Sequence, residues 1–218
     1  MTNPTVASFM TLPTLTTLDL QYNNTEDAGA QHLAYGLQYN TTLTTLILLE
    51  NKIGDVGAQY LGDGLQHNTT LTTLILLQNR IGDVGAKLLA DALQNNTKLT
   101  TLNLALNEIA AVGAQHLGDA LKHNTTLTTL DLYYNLIGDI GAQHLAHGLQ
   151  HNTALTTLDL KRNEIGHAGA QHLLTLEHQL ITADYTIDLG KILYSQSIGF
   201  YSSITLTGYL TVNQNILC

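Results

Sequence analysis

The chain is poor in the residues on which several kinds of chemistry depend. Its only cysteine is Cys218, the last residue, which leaves no disulfide framework and no Cys-based zinc site. A reducing compartment follows as the expectation, most simply the cytosol. Eight basic residues face seventeen acidic ones, a formal charge of −9. With no Lys/Arg stripe to offset it, a phosphate backbone is repelled on average, so nucleic acid and anionic membranes are poor partners. No apolar run approaches the roughly 20 residues that span a bilayer. Residues 1–14 lack the basic stretch and continuous apolar segment of a secretory signal, and none is expected. Serine is confined to Ser8, Ser195, Ser197, Ser202 and Ser203, outside the region that organises the chain, so no Ser-centred triad sits there. No glycine cluster spells a phosphate loop ending in Gly-Lys-Ser/Thr. Neither catalysis nor a cofactor is expected.

What the chain has is a period. From Leu15 it repeats every 28 residues without insertion or deletion, with units opening at Leu15, Leu43, Leu71, Leu99, Leu127 and Leu155. Each opens Leu-Thr-Thr-Leu-x-Leu, as in Leu15-Thr16-Thr17-Leu18-Asp19-Leu20. Asparagine holds the ninth place in all six: Asn23, Asn51, Asn79, Asn107, Asn135 and Asn163. Leucines at places four and six alternate with polar residues, the pattern of a strand buried on one face. The ninth-place amide is suited to capping backbone groups where the chain leaves the strand. Isoleucine follows at place eleven, with Thr25 the exception.

The second half of each unit predicts a helix. Asp27, Asp55, Asp83 and Asp139 stand where an N-cap carboxylate belongs. Apolar places sixteen, nineteen and twenty-three, such as Ala58, Leu61 and Leu65, form an inward stripe. Glycine at place fifteen suggests a close helix–strand approach. Asn40, Asn68, Asn96, Asn124 and Asn152 close the helices, where a left-handed residue is tolerated. Strands pack about 4.8 Å apart and helices about 8–10 Å apart. Stacked units therefore bend into an arc.

These repeats resemble the leucine-rich-repeat family, and the period is similar to that of its ribonuclease-inhibitor-like class. The resemblance implies an α/β fold: a right-handed horseshoe solenoid with a parallel sheet on the concave face and helices on the convex face. Three segments are expected: a lead-in over 1–14, six repeats over 15–182, and a non-repeat tail over 183–218. Phase is lost after Leu173 and Leu174, where Glu177 replaces the expected leucine. In the tail, Ile204, Leu206, Leu210 and Val212 alternate with polar residues and suggest a strand. Solenoid ends need polar caps, so either the tail folds over the last unit or the chain is a piece of a longer array; the second is preferred. Uncapped ends would also permit end-to-end self-association.

Differences among the copies locate the working surface. Places three, five and seven face away from the buried leucines and line the inner sheet. Place three is always Thr; place five reads Asp19, Ile47, Ile75, Asn103, Asp131, Asp159; place seven reads Gln21, Leu49, Leu77, Ala105, Tyr133, Lys161. Apolar side chains clustered on a solvated face mark a contact surface. Ile47, Leu49, Ile75 and Leu77 are thus the expected centre of a protein-binding site. Leu106, Tyr133 and Tyr134 lie beside it, and Lys161 and Arg162 form a charged rim. The other reading is that these aliphatics are strand fillers or that the tail covers them. Asp131 and Asp159, adjacent on the sheet, are read as ion-pair partners of Lys161 or Arg162 rather than acid–base groups.

Ten histidines suggest no metal site. His116, His144 and His172 share place eighteen, and His67, His123 and His151 place twenty-five, on helices about 10 Å apart. That is too far for ligands at roughly 2 Å from one zinc; His147 and His151 could chelate only weakly. Sequons at Asn23, Asn40, Asn68, Asn95 and Asn124 are explained by scaffold roles. The function expected is a non-enzymatic module binding a protein ligand, and the resemblance admits the sensor portion of a nucleotide-binding leucine-rich-repeat receptor. A GTPase-activating protein of the Ran type is an alternative, with Lys52, Arg80, Lys161 and Arg162 its basic candidates. A structural or non-functional fragment is another.

Overall fold

A computed structural model describes residues 14–174, 186–193 and 201–207. The six Thr-Leu-x segments form short strands: β1 (Thr17–Asp19), β2 (Thr45–Ile47), β3 (Thr73–Ile75), β4 (Thr101–Asn103), β5 (Thr129–Asp131) and β6 (Thr157–Asp159). Between and after them lie α1 (Glu26–Tyr39), α2 (Asp55–His67), α3 (Asp83–Asn95), α4 (Ala111–Leu121), α5 (Gly138–Leu149) and α6 (His167–Leu174). The strands pair in parallel and in chain order, with equal repeat places opposite one another, as in Leu46↔Leu74 and Ile47↔Ile75. The result is an open α/β solenoid.

Beyond the sixth repeat the sheet continues. β7 (Thr186–Leu193) pairs in parallel with β6, setting Thr186, Ile187 and Asp188 opposite Thr157, Leu158 and Asp159. Thr-Ile-Asp-Leu at 186–189 is a worn copy of Thr-Leu-Asp-Leu, one residue out of phase, which is why the regular period passes over it. β8 (Tyr201–Thr207) turns back antiparallel on β7. The alternation around Ile204 and Leu206 is therefore a strand, while Leu210 and Val212 lie outside the described residues.

One continuous core runs between sheet and helices. Leu46, Leu48, Leu74, Leu76, Leu102, Leu104, Leu130 and Leu132 are buried against Leu61, Leu65, Leu89 and Leu117, with the place-eleven isoleucines beneath the turn. Fully burying one such side chain contributes about 1.5–3 kcal/mol.

Three expectations about the helix ends are corrected. The place-thirteen aspartates do not cap their own helices; each reaches the helix of the next unit. Asp27 Oδ1 accepts the Gly54 and Gly57 N–H groups at 2.7 and 2.9 Å, and Asp55, Asp83 and Asp139 repeat this one unit on. A carboxylate thus satisfies free N–H groups at a helix start and staples two units together. The place-fifteen glycine makes room for that staple and the neighbouring helix, not for a strand: a Cβ on Gly57 would lie 2.6 Å from Asp27 Oδ1 and 3.2 Å from Ala30 Cβ. None of the closing asparagines is left-handed; Asn40, Asn68 and Asn96 are extended, with Asn68 at φ −77, ψ 132. They act through the side chain instead. Asn68 Nδ2 donates to Leu37 O in the preceding unit at 2.7 Å, while its Oδ1 accepts the Leu71 N–H at 2.7 Å.

Left-handed residues cluster instead at place eight: Tyr22, Glu50, Gln78, Leu106, Tyr134 and Arg162 have φ between 51 and 60. The chain turns sharply off the sheet there, and the ninth-place asparagine anchors it. Asn79 Oδ1 accepts Asn51 N–H and Ile53 N–H at 3.1 and 2.9 Å, and its Nδ2 donates to Leu48 O at 2.9 Å. Each unit is thereby tied to the one before it.

Candidate functional site

The inner face is built from places three, five and seven, which the in-register strands turn into columns. Isoleucine at place five is β-branched and suited to a half-buried pleat; Ile47 and Ile75 stand directly opposite each other. Leu49 and Leu77 follow two residues on, where the ladder persists through Leu48 N–H to Ile75 O and Glu50 N–H to Leu77 O. All four are half-buried and lie outside the helix-facing core. The structure brings these predicted residues together as one aliphatic patch.

The other predicted residues are less unified. Tyr133 is half-buried in the place-seven column, and its ring centroid is 6.0 Å from that of Tyr134. Tyr134, Leu106 and Arg162 occupy the left-handed place eight, past the strand, and so belong to the rim of the sheet rather than its floor. Ala105 is buried between the Leu77 and Tyr133 rungs.

Lys161 is already engaged. Its ammonium bridges Asp159 at 2.9 Å and Asp188 at 3.1 Å, and hydrogen bonds to those two carboxylates push its pKa up to about 12. Asp131 takes no part in that bridge. It accepts the Asn103 Nδ2 and the Tyr133 N–H, both at 2.9 Å. Burial holds its carboxyl above the usual carboxylate range, with the neighbouring Asp159 charge adding to the rise. Ion pairing thus involves Lys161 with Asp159, as expected, and with Asp188, a partner supplied by the seventh rung. Lys52 and Arg80 are exposed at place ten in separate units. Among the described residues no three metal-ligating side chains come together.

Repeat-place reasoning missed a second apolar surface. Val56, Val84, Val112 and Ile140, all at place fourteen in the first turn of successive helices, are 51–59% exposed. Their signal was present as an apolar residue at one place in four consecutive units. Leu136 and Tyr134 of the fifth unit are each 53% exposed as well.

Comparison with known proteins places these features in context. The chain matches the family described as Leucine Rich repeat over residues 11–34, 39–62, 67–90, 95–118, 123–146 and 151–174. No curated protein matches it in sequence. Among solved structures, its fold is similar to that of Leiomodin-1 Actin-Binding Site 2, with a TM-score of 0.52 and 21% identity over 80% of this chain and 84% of that one.

Proposed function

The chain belongs to the leucine-rich-repeat family, and from that premise we propose that it is a non-catalytic module binding a protein partner on the inner wall at the second and third rungs. The observation that carries this reading is the aliphatic patch of Ile47, Leu49, Ile75 and Leu77, set on a sheet face whose other place-five positions are polar. β-propensity accounts for isoleucine at one place in a strand, but four large aliphatics clustered on a solvated sheet face are what an interface centre presents. Tyr133, Tyr134 and Leu106 extend the contact toward the rim. Lys161, held by two aspartates, helps organise the acidic end of the wall, and Arg162 is the rim cation. Among the described residues no arrangement of side chains favours the receptor-sensor or Ran-type reading.

Leiomodin-1 Actin-Binding Site 2 is by its name an actin binder. That likeness carries the fold alone, so actin is one partner to test. The decisive variant is Leu49→Asp with Leu77→Asp, which places two charges in the patch without touching the core. The variant should melt like the wild type and lose the protein partner recovered by affinity capture, or F-actin in co-sedimentation. Undiminished recovery would move the site off the inner wall.

A further inference from the structure

Among the described residues, two place-seven backbone donors on the inner wall go unanswered. Odd places in each strand donate to the preceding rung, as Thr45 N–H does to Thr16 O. By that pattern the place-seven N–H would donate to the preceding place-six carbonyl. The ninth-place asparagine takes that carbonyl instead: Asn51 Nδ2 donates to Leu20 O at 2.8 Å, and Asn79 Nδ2 to Leu48 O at 2.9 Å. The displaced N–H must find another acceptor. In four units the place-five side chain supplies it. Gln21 N–H meets Asp19 Oδ1 at 3.0 Å, and Ala105, Tyr133 and Lys161 N–H groups meet Asn103, Asp131 and Asp159 Oδ1 at 2.9 Å. In the second and third units place five is isoleucine, which has no oxygen. Among the described residues, the Leu49 and Leu77 N–H groups have no acceptor.

The geometry points to these two amides as a seat for the partner: a neutral oxygen acceptor, either a main-chain carbonyl or an Asn or Gln side chain, carried on an aliphatic segment. This rests on the inner wall being the binding face. The protein shows that a side-chain oxygen answers the equivalent N–H, a carboxylate in three units and, in the adjoining fourth unit, the neutral amide oxygen Asn103 Oδ1. The surrounding side chains are aliphatic, so the segment bearing the oxygen must be aliphatic too. A neutral acceptor fits better than a carboxylate, because the chain carries a net −9 and no cation stands in the place-five or place-seven columns of these two rungs. Four units close the seat from within; two leave it to a ligand.

The test uses the full chain labelled with nitrogen-15 and a phage-displayed library of random peptides. In the free protein the Leu49 and Leu77 amides should exchange at least about tenfold faster than those of Ala105 and Tyr133; equal protection would overturn the inference. The tightest selected peptide should be aliphatic, and its binding should slow both amides and move their proton resonances downfield. A peptide that binds this face but leaves both amides unchanged, or a selection dominated by Asp and Glu, would overturn the acceptor seat and leave the face standing. Binding that survives Leu49→Asp with Leu77→Asp would overturn the face itself, and recovery of no clone above background would overturn both. The Ile47→Asn and Ile75→Asn double variant supplies internal oxygens. It should fold as the wild type does and weaken the peptide at least about tenfold, roughly 1.4 kcal/mol; unchanged affinity counts against the seat.

Discussion

At the scale of single residues, buried polar groups hold the array in register. Asn79 accepts two backbone N–H groups and donates to Leu48, Leu76 and Leu77 carbonyls. Its loss would leave the Asn51 and Ile53 N–H groups and the Leu48 carbonyl unpaired in a closed interior, where each costs about 1–3 kcal/mol. Asn79→Ala should therefore destabilise the chain by about 3 kcal/mol or more in urea unfolding, well beyond the effect of replacing an exposed residue such as Gln78. The same accounting explains three of the five sequons: Asn40, Asn68 and Asn124 are buried, and the Asn68 and Asn124 amides donate to carbonyls of the preceding unit, whereas Asn23 and Asn95 are exposed.

Asp131 gives the one pH-dependent expectation. Burial raises its pKa above the ordinary value of 3.8, so the folded protein keeps this proton over a range where the unfolded chain has lost it. Stability from this group is greatest in acid and falls as pH rises through the raised value. Asp131→Asn keeps the oxygen that accepts the Tyr133 N–H but removes the buried charge. Relative to wild type, its unfolding free energy should improve between about pH 3 and about pH 7; a pH-independent difference would contradict the burial argument.

At the scale of elements, the aspartate staple has one gap, and the structure marks it. Place thirteen of the fourth unit is Ala111, so nothing reaches forward to α5. α5 begins one residue earlier than α2, α3, α4 and α6, with Gly138 at φ +62 donating its N–H to Asn163 O. α1, which has no described helix before it, starts the same way, with Glu26 at φ 54 donating to Asn51 O. The helix start is thus decided by the preceding unit. Ala111→Asp should restore the staple to Gly138 and Gly141 and raise stability by about 1 kcal/mol, while Asp55→Ala should cost about 1–2 kcal/mol by freeing Gly82 and Gly85 N–H groups. Thermal melts of both variants check this, and a destabilising Ala111→Asp would contradict it.

At the scale of the whole molecule, stability in a stacked array is close to a sum over units and their interfaces. β7 adds a rung whose Ile187 is buried and whose Asp188 joins the Lys161 bridge. Residues 1–182 alone should therefore melt below residues 1–218, the missing rung laying bare the β6 edge. Identical melting curves would mean that β7 contributes nothing to the array.

Much of this was legible in the sequence because each repeat tests the others. Leucines at places four and six, buried isoleucine at place eleven and the inward helix stripe follow from periodicity, which depends only on local backbone geometry. The aliphatic patch was legible too, since a column of Ile47 beside Ile75 needs only an in-register parallel sheet. The aspartates, the closing asparagines and the place-fifteen glycines were assigned within their own units, because sequence signals for capping describe one helix at a time; in the folded chain the N–H groups the aspartates hold and the carbonyls the asparagine amides reach are 27 to 31 residues away. The worn seventh rung was hidden by a one-residue phase slip that hydrogen bonding tolerates and a strict period does not.

The sequence by itself therefore determined the architecture, since a 28-residue alternation of strand and helix that buries leucine on one side has a single way to stack. Only the tertiary structure decided which unit satisfies which backbone group. Hydrogen bonds are directional and short-ranged, so their partners depend on where neighbouring units come to lie, and at Leu49 and Leu77 that placement leaves two donors without an acceptor among the described residues.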